Sequence, residues 1–305
     1  MRRVLVIGGL GFCGSHLTDA LKSQGDWVAV IDNFSQSTQA TQDSKADEVI
    51  RADVGTSLRC VEGARFDYVI HAASPAGPAR IEPGYALQKI VRSMRVVVDY
   101  AAHTKARLIK ASTSEVYGRT DVELTEETPC LIPLADPRTE YPLGFLSAEC
   151  IGMNSPYPNI QILRLFNVVG PRQQSRAGVV IPRFIEQAKA GEPLTIIKPG
   201  TQHRAFMDVS DLTSFVLTLM DQWPKTKGIW NVANPSNNIS MIRLAEMVNE
   251  AVGNTAGVQF VDGKRVMGEY YRDGFEKLKI GIDKAKGLGW EPKVGMEGII
   301  ERCLR

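Results

Sequence analysis

Three glycines near the start of the chain, Gly8, Gly11 and Gly14, limit what this sequence can fold into more than any other feature. They follow the apolar run Val4-Leu5-Val6-Ile7 and precede a helical pattern at His16–Ser23. A strand that runs through such glycines into a helix makes a turn in which a pyrophosphate can meet backbone N–H groups with no Cβ in the way. The helix N-terminus then adds a favourable dipole. Glycines alone are weak evidence, but here the strand and the helix stand on either side of them. The second apolar run, Trp27–Ile31, ends at Asp32, 24 residues after Gly8, where a carboxylate can hold both ribose hydroxyls. No Lys or Arg occurs in Asn33-Phe34-Ser35 to greet a 2′-phosphate, so the reading is NAD rather than NADP.

Short apolar runs alternate with amphipathic stretches through the first 170 residues. Strands are expected at Arg3–Ile7, Trp27–Ile31, Glu48–Arg51, Tyr68–His71, Arg107–Ala111 and Gln161–Phe166, with helices at His16–Ser23, Tyr85–Thr104 and Pro142–Met153. This alternation predicts an α/β fold of Rossmann type, a doubly wound parallel sheet covered on both faces. Pro156 and Pro158 limit the third helix. After Gly170-Pro171 the texture changes. A helix is expected at Val179–Gly191, a strand at Leu194–Ile197, a turn at Gly200–Arg204, a helix at Asp208–Gln222, a strand at Ile229–Val232 and a Ser-capped helix at Ser240–Val252, before a mixed tail, Lys264–Arg305. The division expected is a cofactor domain of 1–170 plus 205–232 and a smaller α/β substrate domain of 171–204 plus 233–305.

Composition excludes several classes. With 44% hydrophobic and 23% charged residues, the chain reads as a soluble globular protein. A net charge of +2 and the lack of a Lys/Arg block argue against nucleic acid. The opening run is too short to span a membrane, and glycines stand where a signal-peptide cleavage site would be. Five cysteines without a CxxC pair read as free thiols in the cytoplasm, and the four histidines form no metal-ligand cluster.

Beyond the glycines, Asp53-Val54, His71-Ala72-Ala73, Ser112-Thr113-Ser114-Glu115-Val116-Tyr117-Gly118, Arg164 to Arg172 and Leu288-Gly289-Trp290-Glu291-Pro292 form a set of landmarks over residues 3–292. Together they resemble the extended short-chain dehydrogenase/reductase (NAD-dependent epimerase/dehydratase) superfamily. The stretches His71 to Pro78, Ala111 to Gly118 and Arg204-Ala205-Phe206 through Val209-Ser210-Asp211-Leu212 look most like the UDP-glucuronate decarboxylase branch. Dehydratase relatives usually carry Asp at the Ser114 position, so Thr113-Ser114-Glu115 fits decarboxylation or 4-epimerisation better than dehydration or reduction.

The resemblance implies transient oxidation of the sugar C4 by NAD. Thr113, Ser114, Glu115 and Tyr141 would be catalytic, with Tyr141 the base. Gly8, Gly11, Phe12, Cys13, Gly14, Asp32, Asn33, Asp53, Val54, Ala72, Ala73, Ser74 and Tyr141 would hold NAD. Pro75, Glu115, Asn167, Arg172, Val180, Arg204 and Lys279 would hold the nucleotide sugar, with UDP favoured. Relatives dimerise through the helices at Tyr85–Thr104 and Pro142–Met153, which implies a homodimer.

The sequence departs from the family at the pair Tyr-x-x-x-Lys, which here reads Tyr141-Pro142-Leu143-Gly144-Phe145. Ile90 replaces the usual Asn, and Lys279 stands where relatives place Arg. Without the lysine, the Tyr141 phenol should keep a higher pKa, and turnover should be slow at neutral pH. The alternative is a protein that binds NAD and sugar nucleotide without turning them over.

Overall fold

The computed structural model describes residues 1–43, 45–75, 84–134, 136, 138–175, 179–267 and 278–305. Its frame is a seven-stranded sheet of β1 (Arg3–Ile7), β2 (Trp27–Asp32), β3 (Glu48–Arg51), β4 (Tyr68–His71), β5 (Arg107–Thr113), β6 (Ile160–Leu165) and β11 (Gly228–Val232). The order is β11-β6-β5-β4-β1-β2-β3, with every pair parallel. Residues Val4 to Ile7 and Val28 to Ile31 are almost completely buried, as a parallel sheet with both faces covered requires.

Helices α1 (Phe12–Ser23), α2 (Gln39–Gln42), α3 (Tyr85–Thr104) and α4 (Glu140–Asn154) lie among the first six strands in sequence. Helix α4 begins two residues before the expected start and takes Pro142 into its first turn, where the missing N–H costs no hydrogen bond. Its glycines let α3 come close. A Cβ on Gly144 would sit 3.0 Å from Ile90 Cδ1 and 3.2 Å from Leu87 Cα, and one on Gly152 would sit 2.8 Å from Met94 Cε. Ile90 therefore packs on Gly144.

The remaining strands are β7 (Val168–Val169), β8 (Leu194–Ile197), β9 (His203–Ala205), β10 (Met207–Asp208), β12 (Asn238–Ser240) and β13 (Val258–Val261). The remaining helices are α5 (Val180–Lys189), α6 (Val209–Asp221), α7 (Met241–Val252), α8 (Gly263–Met267), α9 (Asp283–Gly287) and α10 (Met296–Leu304). The stretch read as a turn, Gly200–Arg204, instead runs into β9, which pairs antiparallel with β12. The Ser240 hydroxyl accepts from Arg243 N and caps α7.

Two apolar cores result. The larger lies around the seven-stranded sheet and takes in Leu278, Ile280, Ile282, Ala285 and Trp290 from the tail. The smaller joins α5, β8, α7 and α10 through Phe184, Ile196, Leu244, Val248 and Ile299. Among the described residues no helix is long and apolar enough to cross a membrane.

Candidate active site

The strand order reverses between β1 and β4, because β2 lies to one side of β1 and β4 to the other. Ligands favour the crevice at the carboxyl ends of the strands where such a reversal occurs. A cleft of about 140 Å³ sits there, lined by Gly8, Gly11, Asp32, Asn33, Asp53, Val54, Ala72, Ala73, Ser74 and Pro75. Gly8 has φ +81°, and a Cβ on it would lie 2.6 Å from the Ala73 backbone. A Cβ on Gly14 would lie 2.0 Å from Gly8 O, so only glycine fits where the helix meets the strand. Gly11 caps α1, whose first turn carries no acidic residue to compete with an anion. A glycine-lined cradle at a helix N-terminus fits the pyrophosphate of a dinucleotide.

Asp32 accepts from Leu10 N at 2.9 Å and from Phe34 N at 2.8 Å, which fixes its carboxylate at the cleft wall. Asp53 accepts from Lys89 Nζ at 2.6 Å and from Gly55 N at 2.8 Å, and the lysine holds its carboxyl below the usual range. Phe12, Cys13 and Gly14 form the first turn of α1 rather than the cleft wall, and burial pushes the Cys13 thiol up to about 12. Pro75, expected at the sugar, lines this cofactor cleft. Ala76, Gly77 and Pro78 of the same motif lie outside the described residues. Lys89 and Ser93 also face the cleft and were not singled out from sequence. With Tyr85 they repeat every four residues along α3, and that spacing was the signal available.

A second cavity, of about 770 Å³, opens beside the end of β5. Thr113, Ser114, Glu115, Asn167 and Arg204 line it, as do Arg119 and Arg138, with apolar walls from Leu131, Phe166 and Leu278. The Thr113 hydroxyl accepts from Glu115 N at 3.2 Å and caps a 3₁₀ turn over Ser114–Tyr117. The turn closes at Gly118, φ +65°, where a Cβ would collide with Leu131 O at 1.6 Å. Arg138 Nη2 lies 3.2 Å from Glu115 Oε2. Burial lowers the pKa of Arg204, Glu115 opposes that shift, and Arg138 and Arg119 add to it. The cavity thus holds three guanidiniums, and the charges of Arg138 and Arg119 both act on Arg204.

Three residues expected at the sugar nucleotide sit elsewhere. Arg172, at φ +66°, sends Nη2 to Asp19 of α1 at 2.7 Å. Val180 opens α5 and does not line the cavity. Lys279 is exposed, and its carbonyl accepts from Leu124 N, while the preceding Leu278 reaches the cavity.

Tyr141 is half-buried in the first turn of α4, and its neighbours Thr139 and Pro142 line the second cavity. Its ring meets Phe145 edge to face, centroids 4.9 Å apart. Phe145 is buried, and Lys110 Nζ stands 5.1 Å from its ring centroid. Burial lowers the Lys110 ammonium to about 7. On the adjacent strand, His71 Nε2 is 3.1 Å from Ser93 Oγ, and burial, with Lys110 adding to it, keeps the imidazole uncharged. Beneath them Arg164 grips Glu149 of α4 at 2.7, 3.1 and 3.2 Å, and Ser112 donates to the same carboxylate at 2.5 Å. Among the described residues no group of His, Cys, Asp and Glu could hold a metal ion.

The model of the NAD dependent epimerase/dehydratase family matches residues 4–233. UDP-glucuronic acid decarboxylase 1 of Xenopus tropicalis is 34% identical over 314 residues, covering 99% of this chain and 71% of the relative. UDP-glucuronic acid decarboxylase 2 of Arabidopsis thaliana is 34% identical over 318 residues, with 96% of this chain covered, and the chain spans only 65% of that relative's length. Among solved structures, an epimerase from Methanothermobacter thermautotrophicus has a TM-score of 0.87 at 27% identity, covering 100% of this chain and 91% of the other. UDP-glucuronic acid 4-epimerase from Bacillus cereus, in complex with UDP-glucuronic acid and NAD, has a TM-score of 0.83 at 26% identity over 98% and 97% of the two chains.

Proposed function

The chain belongs to the NAD dependent epimerase/dehydratase family, and from that premise we propose that it decarboxylates a UDP-uronic acid of the UDP-glucuronate type, with NAD as its cofactor. The observation that carries this reading is the charge of the second cavity. Arg119, Arg138 and Arg204 face it against the carboxylates of Glu115 and Asp136. The surplus of positive charge suits a substrate that brings a diphosphate and a sugar carboxylate together.

Gly8, Gly11 and the N-terminus of α1 would hold the pyrophosphate, and Asp32 the adenosine ribose. When bound, NAD supplies hydride acceptance and return at the sugar C4. Tyr141 holds the proton exchanged with the C4 hydroxyl, and Thr113 and Ser114 position that oxygen. Glu115, steadied by Arg138, orients the ring, while Arg204 and Asn167 hold the anionic end. A ketone at C4 is β to the carboxylate, which lets CO₂ leave without an acid to expel a hydroxyl. That matches Ser114, which offers no such acid. The same reading gives a cofactor domain of 1–170 plus 205–232, a substrate domain of 171–204 plus 233–305, and a cytoplasmic homodimer pairing α3 and α4.

The test is to incubate the NAD-loaded chain with UDP-glucuronate and follow the nucleotide sugar by mass spectrometry and chromatography. Loss of CO₂ to give a UDP-pentose supports the reading. A product of unchanged mass and altered retention replaces it with 4-epimerisation. Tight binding of UDP-glucuronate without any product replaces it with a binding role.

A further inference from the structure

Lys110 carries a buried charge that the reaction just described does not use. It is 1% exposed, on the face of β5 from which Ser112 reaches α4. An ammonium buried to that degree is costly unless an anion compensates it. The carboxylate that acts on it, Glu149, is already taken by Arg164 and Ser112. The remaining groups of this layer give no compensation. His71, its register partner on β4, is uncharged, Arg164 on β6 is itself cationic, and α3 presents the neutral Ser93 bonded to His71.

What the ammonium does reach is an aromatic pair. Its Nζ is 5.1 Å from the Phe145 centroid, and Phe145 meets Tyr141 edge to face with centroids 4.9 Å apart. The two separations place the ammonium within about 10 Å of the Tyr141 ring centroid. The layer between them is apolar, where a field is screened less than in water.

We propose that Lys110 is the positioning residue of Tyr141, supplying from β5, past the Phe145 ring, the positive charge that favours the ionised phenol and that Phe145 on α4 does not supply. The inference rests on Tyr141 as the group that exchanges the substrate proton. Because burial lowers the ammonium to about 7, its charge is present at and below neutral pH and fades above it. The working state carries a phenolate and an ammonium together. Acid removes the first and alkali the second, so the rate against pH is a bell whose flanks belong to the pair.

The test needs no substrate for its main readout. In the intact, NAD-saturated chain, Tyr141 is followed by NMR of isotope-labelled tyrosine and assigned by its loss in Tyr141→Phe. The wild-type signal should show a second inflection near neutrality, where Lys110 loses its proton. In Lys110→Met, an apolar chain of similar length, that inflection should vanish. The wild-type phenol should itself ionise near neutrality, while Lys110 still holds its proton, and one that ionises only where Lys110 is already uncharged overturns the proposal. In Lys110→Met that step should move up by about one pH unit, the effect of a unit charge at ~10 Å and an effective dielectric of ~20. Lys110→Met/Phe145→Lys, which returns the charge from α4, should bring it back down. With UDP-glucuronate, the wild-type bell should become a single rising limb in Lys110→Met. A one-step wild-type titration overturns the proposal whether or not the variants fold, and so does an unmoved phenol in folded Lys110→Met. Intact coupling in a chain that turns over no UDP-uronate supports the Lys110 assignment and refutes the reaction.

Discussion

Removing the carboxylate of Glu149 should damage this protein more than any single change at its surface. Glu149 and Arg164 have side chains 3% and 5% exposed, and three contacts of 3.2 Å or less join them. Desolvation works against the guanidinium, but its bonds to Glu149 outweigh that and hold its pKa above the ordinary value. Glu149→Ala would leave this cation buried without its partner, and breaking a buried pair from one side costs about 3–5 kcal/mol. Ser112, which donates to the same carboxylate, would lose its acceptor as well. Against a total stability of about 5–15 kcal/mol for a typical domain, that is at least about a fifth of the whole. The melting temperature should fall by roughly 10 °C, taking about 2–4 °C per kcal/mol for a domain of this size class. Urea unfolding followed by circular dichroism reads the loss directly. Glu149→Leu/Arg164→Met removes both charges of the pair and should recover part of the loss, with Ser112 left without its acceptor and Lys110 without the carboxylate that acts on it. A loss below about 1 kcal/mol in Glu149→Ala would show that the pair does not hold α4 to the sheet.

Calorimetry should show NAD binding with clear preference over NADP, because a 2′-phosphate would face the fixed Asp32 carboxylate; equal affinities would refute that placement. Arg204→Ala should weaken UDP-glucuronate binding by about 1.5–3 kcal/mol, the range for a hydrogen bond to a charged group, and unchanged affinity would remove Arg204 from the site. Lys110 should also make stability depend on pH. Its pKa falls from an ordinary value of about 10.4 to about 7 on folding, so between those limits the unfolded chain binds more protons and stability rises with pH. The gap in urea midpoint between Lys110→Met and wild type should therefore be largest at about pH 6 and shrink by about pH 9, and a constant gap would count against a buried ammonium.

The first half of the fold was legible because its signals are local. β1, β3 and β4 have the expected bounds, and α3 spans Tyr85–Thr104 as its periodicity indicates. Where the reading fell short, distant contacts decided the outcome. α1 starts at Phe12 rather than His16, since Gly14 belongs to the helix and is glycine because Gly8 O lies against it. β9 is three residues long and contains His203 and Arg204, a pattern with no strand signal of its own. Its partner, Asn238–Ser240, comes more than thirty residues later in the chain and makes it a strand by pairing.

The site divides along the same line. Thr113, Ser114 and Glu115 could be read from the family resemblance, and they line the cavity because β5 ends at Thr113 and the 3₁₀ turn that follows carries the other two. Charged residues on loops could not, because a guanidinium goes to whichever anion the fold brings near. Arg172 meets Asp19, whereas Arg138 meets Glu115 in the cavity. For Lys279 the alternation was available, since Leu278 and Ile280 on either side are buried and the lysine between them must point out. The same alternation puts Lys110 on the side of β5 that Ser112 shares, against α4. Parity could therefore name the face that Lys110 occupies but not what lies opposite. That depends on Gly144 and Gly152, which let α4 and α3 close on each other and set Phe145 over the strand. Read residue by residue, a helix position that lost its lysine and a strand position that holds one are unrelated. In the folded chain they are one contact, with Tyr141 at its other side.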